Sequence, residues 1–140
     1  MSSEVDILCL QETKTEDQFF PIEVFSKLGY EVSISGQKSY NGVAIISKFP
    51  IENIKVGFEK VISDDKDLSI LNQQKRIISA EINDILIINV YVPNGSSINS
   101  DKFIYKQKWI ECLGIYLNEL TSKDKTICLL GDFNIAPEDK

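Results

Sequence analysis

The chain has 140 residues, 43% hydrophobic and 26% charged, with seven glycines and four prolines, enough apolar content for one folded core and a poor fit to disorder. It contains no histidine, which excludes a Ser-His-Asp triad, a Cys-His pair or a His-based metal site built from this chain alone. The net charge of -6 argues against a general nucleic-acid binder and leaves room for an acidic cleft that holds a cation.

Uninterrupted apolar runs are short, as in Ile85-Leu86-Ile87-Ile88, so no segment is expected to span a bilayer. The opening Met1-Ser2-Ser3-Glu4-Val5-Asp6 lacks the basic-then-apolar order of a secretory signal, and a soluble, cytoplasmic protein is the expectation. Cys9, Cys112 and Cys128 are far apart with no C-x-x-C spacing; they read as buried thiols of a reducing compartment.

In chain order, the first element is the near-continuous apolar run Val5–Leu10, which ends at Gln11-Glu12. A helix over Pro21–Leu28 follows, with proline in its first turn and Gly29 as its stop. Glu31–Ser35 is a weaker strand and Gly42–Ser47 a stronger one. Glu59–Gln74 is charged and weakly patterned and reads as a surface loop. Arg76–Ile82 and Ile85–Val92 are strands joined by Asn83-Asp84, a two-residue hairpin turn whose residues tolerate positive φ. The clearest helix runs from Asp101, which can cap it, to about Ser122. Ile110, Leu113, Leu117 and Leu120 lie on one face, with Phe103 and Tyr116 beside it. Thr126–Leu130 is the last strand. Runs this short, apolar on both faces, suit strands in a sheet covered on each side.

Three polar clusters directly follow predicted strands, where α/β sheets place their sites. In Leu10-Gln11-Glu12-Thr13-Lys14, a carboxylate at a strand end offers hard oxygen to Mg²⁺, which takes one or two carboxylates and keeps water and phosphate elsewhere. The plain alternative is a solvated first-turn glutamate. In Asn89–Gly95, the Tyr91 phenol can donate to a phosphate oxygen; the alternative is a strand end followed by a turn that needs Gly95. In Leu130-Gly131-Asp132-Phe133-Asn134-Ile135-Ala136-Pro137, Asp132 and Asn134 share one face of an extended segment, with Phe133 opposite. A carboxylate that takes a proton from water beside an amide that orients phosphate suits phosphodiester hydrolysis. A Gly-Asp turn with local side-chain capping is the competing reading. Gly131 permits an unusual angle or a close approach.

Taken in order, Q-E-T-K, N-G-V-A-I-I-S-K, N-V-Y-V-P-N-G and G-D-F-N-I-A-P closely resemble the exonuclease III (AP endonuclease) family of DNA-repair nucleases, within the endonuclease/exonuclease/phosphatase superfamily. The resemblance runs over essentially the whole chain, including Gly36-Gln37-Lys38 and Arg76-Ile77-Ile78. It implies an α/β fold, a four-layer α/β sandwich of two packed sheets with helices outside. It also implies Mg²⁺- or Mn²⁺-dependent cleavage of double-stranded DNA 5′ to abasic sites, with 3′-to-5′ exonuclease and 3′-end repair. Glu12 then resembles the family's metal ligand and Tyr91 the residue near the scissile phosphate. Asp132 resembles the acid/base aspartate and Asn134 its substrate-orienting partner. Lys14 would lie close to the metal ligand, and Lys38, Tyr40, Asn41 and Asn94 would face DNA.

The pattern also departs from the family. A first strand with a T-W-N-x-N-like motif, the later aspartate and the terminal S-D-H motif have no counterpart in this sequence. Residues 1–140 are therefore expected to be an incomplete domain, a partial sandwich with an exposed apolar sheet face that favours self-association. The chain alone is expected to be nearly inactive, since residues that act as a unit are not additive. The alternatives are another phosphoesterase of the superfamily, inositol phosphatase- or sphingomyelinase-like, and a truncated, non-catalytic product. Frequent Ile, Lys, Asn and Ser with a single arginine suggest an A/T-rich, bacterial genome, and hence action on the nucleoid.

Overall fold

The computed structural model describes residues 4–58 and 66–135. Strand β1 (Ile7–Gln11) is followed by a 3-10 turn (Asp17–Phe19), α1 (Ile22–Lys27), β2 (Glu31–Ser35), β3 (Val43–Ser47) and β4 (Glu52–Val56). Next come α2 (Lys66–Gln73), β5 (Ile77–Ile82), β6 (Ile85–Tyr91), α3 (Asp101–Thr121) and β7 (Thr126–Asp132). One sheet has the antiparallel order β1-β3-β2 and the other the order β4-β5-β6-β7. β6 and β7 are parallel, joined through α3, as a parallel pair requires a crossover connection.

Alternation of side chains along the strands sorts two cores. Val43 and Ile45 of β3 meet Ile78, Ala80, Ile82 and Ile87 between the sheets. Leu86, Ile88 and Val90 of β6 face the other way, onto Trp109, Cys112, Leu113 and Tyr116 of α3 and Leu71 of α2. With α1 against β2, the layers are helix, sheet, sheet, helix, which is the predicted sandwich. Phe58 meets Trp109 and Tyr116 edge-on, at centroid separations of 5.0 and 5.8 Å.

Several expectations need correction. The charged stretch read as a loop over Glu59–Gln74 contains α2: Leu68 and Leu71 pack on the α3-side core, and one apolar turn suffices for a short helix despite polar surroundings. Residues 59–65 lie outside the described residues, as do 1–3 and 136–140, which include Ala136 and Pro137 of the last motif. β4 was not predicted, because every residue of it is exposed and it lacks an apolar run. Ser100, not Asp101, caps α3, its side chain accepting from Phe103 N. Of the predicted stripe on α3, Leu113 is buried and Leu117 and Leu120 pack on the same core, whereas Ile110 is exposed and Trp109 is buried in its stead, the larger ring having more area to bury. Finally, β1 and β7 are edge strands and only partly covered, and Cys128 is exposed rather than buried. All three cysteines are free. Among the described residues, no helix is long and apolar enough to cross a membrane.

Candidate active site

The site forms at one rim of the space between the sheets, where the ends of β1, β6 and β7 come together. In the parallel register Tyr91 stands opposite Asp132, and Val92 N donates to Asp132 O at 2.8 Å. Gly131 makes this approach possible. Its φ is +144°, and a Cβ built on it would lie 1.9 Å from Val90 O, so neither its angle nor its space admits a side chain.

Beyond β7 the chain turns on itself. Asn134 N donates to Asp132 Oδ1 (2.9 Å), and Asn134 Nδ2 donates to Val92 O (2.8 Å). Lys106 Nζ of α3 donates to Asn134 O at 2.7 Å. Asn134 is held at φ 47°, which asparagine tolerates better than most residues. The local capping is real, and it occupies one carboxylate oxygen of Asp132 and one amide hydrogen of Asn134. Oδ2 of Asp132 and the second amide hydrogen of Asn134 take no part in this capping.

Glu12 follows β1 at φ 56°, and Lys14 follows at φ 54°. Both depart from ordinary backbone, and the segment is fixed by Lys14 N donating to Asn41 O (2.9 Å) and Thr13 N donating to Gly42 O (3.3 Å). The Glu12 carboxylate pairs with the Lys14 ammonium at 3.0 Å. The hydrogen bond to Glu12, followed by its charge, raises the Lys14 pKa above its ordinary value.

The loop predicted to face DNA divides in two. Lys38 and Tyr40 are exposed, Tyr40 at 70%. Asn41 is half-buried and also braces the loop: its Nδ2 donates to Gln37 Oε1 (3.1 Å), which also accepts from Lys75 N. Asn94 is exposed, yet its Oδ1 accepts from Ser96 N (3.0 Å) and shapes the turn.

Two residues with no role assigned from sequence belong to this rim. The Arg76 guanidinium lies 4.7 Å over the Tyr91 ring, and its Nη1 donates to Tyr91 O at 3.0 Å. Burial lowers its pKa from the ordinary arginine value, partly offset by Tyr105, Tyr91 and Glu12. A cavity of about 430 Å³ opens beside it, lined by Tyr91, Asn94, Lys102 and Tyr105 among others. Asn89 is fully buried and bonded into the opposite sheet. The available signals were the chain's single arginine directly before a strand and one asparagine inside an apolar run.

The donors at this rim are carboxylates and amides, with neither imidazole nor thiolate. Among the described residues no group of three or more acidic, His or Cys side chains gathers. This donor chemistry fits a hard divalent cation that takes one or two carboxylates and retains water. Glu12 already attracts a cation, the Lys14 ammonium.

The sequence model described as the Endonuclease/Exonuclease/phosphatase family matches residues 2–140, and the chain belongs to that family. It is 37% identical over 139 residues to exodeoxyribonuclease III of Haemophilus influenzae, covering 96% of this chain and 49% of that protein. Among solved structures, it is similar to a Neisseria 3′ phosphatase, NExo, bound to a product DNA hairpin: TM-score 0.83, 37% identity, 96% of this chain and 49% of that one. An AP endonuclease from Archaeoglobus fulgidus gives a TM-score of 0.82 at 41% identity, covering 95% of this chain and 48% of that one. The chain thus spans about half the length of the relatives it matches.

Proposed function

We propose that these residues are part of a DNA-repair nuclease that hydrolyses phosphodiesters 5′ to abasic sites and trims 3′ ends with Mg²⁺ or Mn²⁺. The observation that carries this reading is the register pairing of Tyr91 with Asp132, with Asn134 tied to Val92, the residue after Tyr91. DNA is the substrate class that the relatives' names point to, through an exodeoxyribonuclease, an AP endonuclease and a structure holding a product DNA hairpin. A reducing, cytoplasmic setting agrees with three free thiols.

In this reading Glu12 holds the cation, which when bound neutralises charge on the phosphate. Asp132 Oδ2 takes the proton of the attacking water, while Oδ1, fixed by Asn134 N, keeps the carboxylate oriented. The remaining Asn134 amide hydrogen and the Tyr91 phenol donate to phosphate oxygens. Arg76, stacked on Tyr91, steadies that ring, and Lys38, Tyr40 and Asn94 follow the strand as it leaves.

The test is nicking of a duplex carrying one abasic-site analogue, with Mg²⁺ or with EDTA. A chain extended at both ends to the relatives' length is expected to nick only with the metal. Asp132→Ala should lower the rate by roughly 10²–10⁴-fold, the usual value of a positioned base. Residues 1–140 alone should be nearly inactive. Nicking that survives both EDTA and Asp132→Ala overturns the proposal.

A further inference from the structure

Asn89 interrupts the apolar run of β6 and has no exposed surface. Its amide crosses the space between the sheets. Nδ2 donates to Leu10 O (2.9 Å) and Ala44 O (3.0 Å), and Oδ1 accepts from Gln11 Nε2 (2.8 Å). All three partners belong to the other sheet. Elsewhere in this layer isoleucine, valine and alanine make the contact, which would hold two sheets together without fixing their relative position finely. A buried amide is costly unless satisfied, and when satisfied it selects one arrangement.

The location of the amide matters as much as its bonds. Gln11 directly precedes Glu12, and Asn89 lies two residues before Tyr91 on the same face of β6. We propose that Asn89 and Gln11 form a polar clamp that sets the position of Glu12 against Tyr91 and Asp132, with Asn89 as a positioning residue for the site. Glu12 sits at φ 56°, a conformation that persists only when its surroundings impose it. The clamp fixes the residue immediately before it, and the Gly42 and Asn41 carbonyls fix the two after it. The inference rests on the reading of Glu12 as a cation ligand.

Gln11→Met tests the clamp, because it removes the Gln11 bond to Asn89, along with a longer one to Cys9 O (3.3 Å), at nearly constant volume and leaves both backbone bonds of Asn89 in place. Asn89→Leu would also strand two carbonyls, and serves only as a comparison. The first readout is Mn²⁺ affinity of the full chain by electron paramagnetic resonance, with Glu12→Gln as control. Gln11→Met is expected to weaken Mn²⁺ by about 10–100-fold, as loss of outer supporting groups does, with a lowered thermal midpoint from the unpaired Asn89 Oδ1 but a folded β6. The second readout needs no metal: amide exchange at Thr13 and Lys14 should quicken about tenfold or more, while the β6 amides keep their rates. Wild-type affinity in Gln11→Met, with unchanged exchange at Thr13 and Lys14, overturns the clamp. Wild-type protein that binds no Mn²⁺, or binds it independently of Glu12, overturns the cation reading instead. The exchange result then decides the clamp alone, and unchanged rates reject it.

Discussion

Gly131 stands where β7 passes closest to β6, opposite Val90 in the ladder. An alanine there would place its Cβ 1.9 Å from the Val90 carbonyl oxygen, a backbone atom that cannot rotate away. Relief requires the two strands to separate just before Asp132. Overpacking of this kind plus the unfavourable φ costs about 3 kcal/mol. Urea unfolding of Gly131→Ala should show that loss, and a midpoint equal to wild type would mean the strand ends are more pliant than the ladder implies. The strand-end position of the candidate residues was legible from the apolar runs: Glu12, Tyr91, Asp132 and Asn134 all lie at or just beyond strand ends. Their interactions were not. Nothing in the order of residues says that Asn41 bonds Gln37, or that Asn134 spends an amide hydrogen on Val92, since the first depends on how one loop folds and the second on how distant strands align.

At the scale of elements, the β5–β6 hairpin is the most local feature, and it was read correctly down to its turn. Asn83 and Asp84 sit at φ 49° and 64°, between Ile82 and Ile85 in register, the backbone of a two-residue turn with positive φ at both positions. Glycine is preferred at the second position. Removing the strain at Asp84 gains roughly 1–2 kcal/mol, and the extra freedom of glycine in the unfolded chain returns part of it. Asp84→Gly should therefore stabilise the protein by about 0.5 kcal/mol in urea titration; a destabilised variant would contradict the turn geometry. Elements that depend on tertiary contacts were harder to read. β4 is exposed throughout and exists because β5 offers it an edge. α2 is anchored by two leucines in a polar stretch. The face of α3 holds Leu113, Leu117 and Leu120 as expected, but Trp109 takes the place of Ile110 beside Phe58.

For the whole molecule, the decisive feature is that the layer between the sheets is open at the β1–β7 end. Leu130 packs into that layer, and Cys128, two residues earlier on the same face, is exposed. Cys9 of β1 is half-buried against the same layer. Burial pushes the Cys9 thiol up to about 11, with Cys128 adding to the effect, and burial pushes Cys112 to about 11 as well. A thiol reagent at pH 8 should thus modify Cys128 first and the other two slowly. The raised values also give stability a pH dependence. Below the ordinary thiol value of 9.0 both thiols are protonated in folded and unfolded chains alike and contribute no slope. From there to about 11 the unfolded chain releases protons that the folded chain keeps, so stability falls as pH rises. Cys9→Ala should flatten that fall, and an unchanged slope would show that the thiol ionises as easily folded as unfolded.

The same open end determines how the chain behaves in solution. Phe133 is 37% and Ile135 63% exposed, and among the described residues β1 and β7 each present an unpaired strand edge. Apolar surface beside unpaired backbone donors and acceptors favours association, and a net charge of -6 spread over 140 residues opposes it only at low salt, because screening shortens its reach. In relatives about twice as long, further chain is available to cover such a face. Sedimentation velocity on residues 1–140 should then show mass rising with protein concentration and rising further with added salt. A chain lengthened to the relatives' span should stay monomeric over the same range. If residues 1–140 sediment as a compact monomer at every concentration and salt, the sheet edges are self-sufficient and the open-sandwich account of this chain fails.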